Sequence, residues 1–177
     1  MSALRIVPRS TQSNPAAPFV LDVSRFDSGN RRRLSGPGMR TFLAIADLWG
    51  LNEEERLLVL GMPSRSTYYG WTKAAREHQD LNLTADTLIR ISSILGIHKA
   101  LNILFQTERE GLEWLKAPHA AMPFGGQAPI ALVTGGTQDG LMAVRRFLDA
   151  ARGGLFMAPN AADQDTPPLT DEDIVFA

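Results

Sequence analysis

From Met39 to Gly154 the apolar residues of this chain recur at intervals of three and four, and almost nowhere do they alternate one in two. That spacing gathers them on one face of a 3.6-residue helix and leaves no inward face for a sheet, so the chain must pack helix against helix. The punctuation agrees. Phe42, Leu43, Ile45, Ala46 and Trp49 form a first stripe that Gly50 stops. Asn52 and Glu55 have the spacing of a capping box, and Leu57, Leu58, Val59 and Leu60 give a second helix its apolar side before Gly61. Ser64 caps a third helix from Arg65 to about Glu77. A fourth starts after Thr84, carries Leu88, Ile91 and Leu95, and stops at Gly96, with Ile97 to Gln106 forming another. Leu112, Trp114 and Leu115 make a shorter helix closed by Pro118. Pro129 opens one or two turns through Val133, and Thr137 caps a final helix over 138–152 that ends at Gly153-Gly154. The expected fold is all-α: a helix-turn-helix unit and a C-terminal helical bundle with flexible tails.

The ends differ from the middle. Residues 1–37 hold Pro8, Pro15, Pro18 and Pro37 and read as a poorly or conditionally ordered arm, in which Phe19, Val20, Leu21 and Val23 suit a short strand or a docking segment. Over residues 1–40 seven arginines face two aspartates, whereas 153–177 hold five acids and no base. The net charge of -1 hides this asymmetry, which suits tails that meet charged partners. Arg31, Arg32 and Arg33 in the basic arm are candidates for contact with phosphates, or else a solvated run. The division expected is 1–37 arm, 38–82 helix-turn-helix, 83–154 helical domain and 155–177 acidic tail. The start, MSALRIVPRS, lacks the apolar core of a signal peptide, and no apolar run reaches bilayer length, so the expectation is a cytoplasmic protein without membrane contact.

Composition removes several chemistries. There is no cysteine, hence no disulfide, thiolate nucleophile or cysteine-ligated metal. His78, His98 and His119 have no metal-ligand spacing and read as surface or packing residues. Gly135-Gly136-Thr137-Gln138-Asp139-Gly140 lacks both the Gly-Lys-Ser/Thr ending and the preceding strand of a phosphate loop. Glu53, Glu54 and Glu55 occupy a helix's first turn, where the helix dipole favours negative charge, and need no catalytic role. Nothing points to an enzyme or to a cofactor.

Nucleic acid is the better partner. The helices on either side of Gly61-Met62-Pro63-Ser64 have the length and tight connection of a helix-turn-helix, whose second member enters a major groove. On that member Arg65, Ser66, Tyr69, Thr72, Lys73 and Arg76 can share an outer side, while Tyr68, Trp71 and Ala75 recur at inward spacing. Arg65 and Ser66, in the first turn, are placed for base edges; Lys73 and Arg76 are placed for phosphates.

Four stretches in order, LNEEERLLVLGMPSRSTYYGW, LIRISSILGIHKALNILF, WLKAPHAAMPFGGQAPIALVTGG and VRRFLDAARGG, resemble the Xre/MbcA/ParS antitoxins, the partners of RES-domain toxins. The resemblance covers Met39 to Gly154. It implies an operator-binding helix-turn-helix that represses its own operon, with Arg65, Ser66, Thr67, Tyr69 and Trp71 in the recognition-helix motif. It further implies a C-terminal part that neutralises an NAD-consuming RES toxin by contact. Within Leu88–Phe105, Trp114, Phe124–Gly126, Pro129 and Arg145–Gly154, the candidates for toxin contact are Phe124, Gly125, Arg145, Arg146 and Arg152. Ile174 and Phe176, at the tail's apolar tip, are added from their composition alone. Ala128 stands where that family often has serine, so the helix opened by Pro129 is expected to start without a side-chain cap. One reading head covers one half-site, which implies a homodimer and a larger assembly with toxin. The alternatives are a stand-alone regulator whose C-terminal part only dimerises, and a protein scaffold whose helix-turn-helix has lost DNA.

Overall fold

The structure is a computed structural model, and it describes residues 27–153. Among them are seven helices and no strand: α1 (Ser28–Trp49), α2 (Glu53–Val59), α3 (Arg65–Arg76), α4 (Ala85–Leu104), α5 (Glu108–Lys116), α6 (Pro129–Val133) and α7 (Gln138–Arg152). The all-α expectation holds. α4 runs through the middle, with α1 and α7 packed on it; α3 lies on α1, α5 on α4, and α6 on α7. Met39, Phe42 and Trp49 of α1 meet Ile91, Ile94 and Ile97 of α4 and Leu141, Val144 and Leu148 of α7 in one core. Full burial of an Ile or Leu side chain stabilises by about 1.5–3 kcal/mol. By length and hydropathy α4 alone, among the described helices, could cross a membrane. Its apolarity has a simpler origin, since α1, α5 and α7 all pack on it.

The caps legible in the sequence are present. Asn52 and Glu55 close a capping box, with bonds of 3.0 and 2.8 Å, and the side chains of Ser64, Thr84 and Thr137 each accept a backbone N–H. Ala128 provides no cap, and Pro129 nevertheless starts α6. Thr107 and Glu110 make a second capping box, at the start of α5.

Two expectations are corrected. First, residues 28–37, placed in an irregular arm, are helical, and α1 carries Pro37 within it. A mid-helix proline removes one backbone bond, but Pro37 faces solvent, and tertiary contacts hold the turn before it. The fully buried Ser35 donates its hydroxyl to the Arg31 carbonyl (2.6 Å) and accepts the Leu83 N–H (2.9 Å). Second, Gly96 does not end a helix; α4 passes through it to Leu104. A Cβ at Gly96 would lie 1.6 Å from Nη1 of Arg145. The glycine is a slot through which the α7 arginine crosses α4.

Candidate nucleic-acid and toxin interfaces

The connection between α2 and α3 is fixed by backbone geometry. Gly61 and Met62 both have left-handed φ, 88° and 58°, and their N–H groups bond to the carbonyls of Leu58 (3.2 Å) and Leu57 (2.8 Å). Glycine takes this conformation without steric cost, and Met62 does not. Ser64 then starts α3: its Oγ accepts the Thr67 N–H at 3.2 Å and lies within hydrogen-bond distance of both Ser66 Oγ and Thr67 Oγ1. Arg56 fastens the unit to α1, donating to the Leu51 carbonyl and to Asp47.

α3 sorts its residues by face. Tyr68 and Ala75 are buried, and Trp71 is half-buried against the core. Arg65, Ser66, Tyr69, Lys73 and Arg76 are exposed and recur every three or four residues, so they form one outward stripe. Thr67 is exposed, but its hydroxyl belongs to the cap. Thr72 is the exception among the sequence candidates. It is half-buried, and its hydroxyl oxygen is enclosed without a hydrogen bond, so it does not share the stripe.

Glu53, the first residue of α2, reaches this stripe. Tyr69 donates its phenolic O–H to Glu53 Oε2 at 2.5 Å, and Arg65 Nε lies 3.5 Å from Glu53 Oε1. The second is a charge contact without hydrogen-bond geometry, because Oε1 is enclosed and has no hydrogen bond. The bond to Glu53, reinforced by its negative charge, raises the Tyr69 phenol above its ordinary pKa, and Arg65 offsets this only in part. Nothing in the sequence spacing alone joins Glu53 to residues on the next helix; the angle set by the Gly61-Met62 turn does.

The arginine run is not a free arm. Arg32 pairs with Asp80, Arg33 donates to Asn30 at 3.5 Å, and Arg31 is half-buried with an enclosed Nε.

The toxin-contact candidates separate as clearly. Phe124 is 3% exposed and fills an aromatic cluster with Trp114 and Phe147, joined by His119, which stacks on Trp114 at 4.8 Å and lies 2.8 Å from its carbonyl. Phe124 is therefore a core residue and not an exposed contact. Gly125 is exposed with φ 57°. Arg145 donates to Asp149 (2.6 Å) and toward the Ser92 carbonyl (3.3 Å), and Arg152 also reaches Asp149; Arg146 is exposed. Ile174 and Phe176 lie outside the described residues. Sequence reasoning missed Met122, 90% exposed in the loop before α6, and Ile103, 55% exposed near the end of α4. A helical wheel extended through Gly96 puts Ile103 off the buried stripe; Met122 has no such signal.

Comparison with known proteins adds to this geometry. Residues 28–96 match the antitoxin Xre-like helix-turn-helix domain, and residues 100–154 match the antitoxin Xre/MbcA/ParS C-terminal toxin-binding domain. One match ends and the other begins within α4, at residues 96 and 100. The chain is also similar to "Uncharacterized protein y4oB" of Sinorhizobium fredii (strain NBRC 101917 / NGR234). The two are 38% identical over 116 residues, which span 66% of this chain and 84% of that protein.

Proposed function

The chain belongs to the Xre/MbcA/ParS antitoxin family, and we propose that the toxin it neutralises is a RES-domain, NAD-consuming enzyme. It is a non-catalytic, DNA-binding antitoxin and repressor with a toxin-binding C-terminal part. In our reading α3 enters the major groove of operator DNA through Arg65, Ser66 and Tyr69, with Lys73 and Arg76 on phosphates. Toxin docks on the exposed side of the C-terminal part, where Met122, Ile103, Gly125 and Arg146 are available, and blocks its own NAD pocket in doing so. The working form is a cytoplasmic homodimer that joins toxin in a larger assembly, so that two reading heads meet two half-sites.

The observation that carries the DNA side is the outward stripe on α3, which is basic at both ends although the chain as a whole is not. The toxin side is tested by co-expressing the chain with the product of the adjacent gene and measuring the mass of the isolated species. A stable complex of both chains is expected. Recovery of this chain alone, while the neighbour remains an active NAD consumer, would overturn the reading.

A further inference from the structure

We infer that Glu53 is a specificity-determining positioning residue: from α2 it holds Arg65 and Tyr69 of the reading helix and sets a charge barrier against DNA that lacks the cognate bases. The inference rests on α3 being the DNA-reading helix. One carboxylate spans two residues a helical turn apart, with Tyr69 Oη at 2.5 Å on one oxygen and Arg65 Nε at 3.5 Å from the other. That other oxygen is closed off from solvent and accepts no hydrogen bond. A desolvated carboxylate oxygen so placed relies on the neighbouring guanidinium for compensation.

Two effects follow. Arg65 and Tyr69 are held together before DNA arrives, so less side-chain freedom is lost on binding. When Arg65 turns to DNA it must leave Glu53, and the carboxylate then stands close to phosphates of its own sign. A guanine offering O6 and N7 to a bidentate arginine can outweigh that loss, whereas a single phosphate on arbitrary sequence compensates less. Glu53 therefore weakens binding to random DNA more than binding to the operator. A role confined to the α2 dipole, where Glu54 and Glu55 also sit, would instead change stability and leave the preference for operator untouched.

The test uses the full chain and two duplexes, one from the promoter region upstream of its gene and one with the same bases shuffled. Glu53→Gln keeps an acceptor for Tyr69 and removes the charge. It should tighten binding to the shuffled duplex about 3- to 10-fold, change promoter binding by less than about 2-fold, and steepen the salt slope on shuffled DNA by about one unit. Glu53→Asp keeps the charge but is too short to span both partners, and should weaken promoter binding while leaving shuffled DNA as in the wild type. Ultraviolet titration of the two tyrosines gives an independent readout, since Glu53→Gln should bring the Tyr69 phenol back toward its ordinary range. An unchanged promoter-to-shuffled ratio in Glu53→Gln, with Arg65→Ala lowering that ratio, overturns the inference alone. If Arg65→Ala also leaves the ratio unchanged, the assignment of α3 as the reading helix fails first.

Discussion

At the scale of single residues, Arg65 and Phe124 illustrate opposite outcomes of the same kind of reading. Arg65 stands at the first position of a capped helix, one turn before the outward Tyr69 and on the same exposed stripe. Its exposure was legible because both signals are local. Arg65→Ala is expected to cut discrimination at one base pair by about 1–3 kcal/mol, read from titrations against promoter and shuffled duplexes, with toxin binding intact. Equal losses on both duplexes would make Arg65 a phosphate contact. Phe124 sits in a loop between prolines and glycines, which suggests exposure, yet Trp114 and Phe147 converge on it from two helices. Such convergence is tertiary and leaves no local trace. Phe124→Ala should cost about 3–5 kcal/mol of stability, seen as a lower denaturation midpoint, whereas Met122→Ser should weaken toxin binding at unchanged stability. A Phe124→Ala protein of native stability that fails only to bind toxin would restore it as a contact. The Tyr69–Glu53 bond adds a pH signature. Because the folded Tyr69 pKa is raised, its contribution is fully present below the unfolded tyrosine value of about 10 and is lost as pH rises through the folded value. The melting-temperature gap between wild type and Glu53→Gln should be flat near neutrality and close only above that value.

At the scale of elements, helices closed by local caps were legible to their ends, and the two that run through an apparent breaker were not. The apolar period and the capping residues are written in neighbouring positions, so α2, α3, α5, α6 and α7 follow from them. α1 and α4 exceed their expected bounds because the residues that read as breakers, Pro37 and Gly96, are answered from distant segments. Ser35 with Leu83 holds the start of α1, and Arg145 occupies the space that Gly96 leaves. Glycine to alanine within a helix ordinarily stabilises by about 0.5–1 kcal/mol, but Gly96→Ala must expel the Arg145 guanidinium and should destabilise. In an Arg145→Ala background the same change should stabilise. Denaturant titrations of the four proteins complete the cycle, and a Gly96→Ala that stabilises in both backgrounds would refute the slot. α1 also changes what its arginines can do. Neutralising Arg31, Arg32 and Arg33 would lower the salt slope of DNA binding by up to about three units if all met phosphates. With Arg32 on Asp80 and Arg31 half-buried, a fall of about one unit is expected.

At the scale of the whole molecule, α4 is the element that makes two functions one protein. The helix-turn-helix match ends at residue 96 and the toxin-binding match begins at residue 100, both within this continuous helix. α1, from the helix-turn-helix match, and α7, from the toxin-binding match, both pack on it, so the two matched segments are joined by a packed core and not by a linker. In the function proposed, this chain silences an NAD-consuming toxin by occupying it. The most direct measurement adds the purified full chain in increasing amounts to the purified product of the adjacent gene and follows NAD loss. NAD consumption is expected to fall linearly with added chain and to stop at a fixed molar ratio. Consumption that continues undiminished in the presence of excess chain would contradict it.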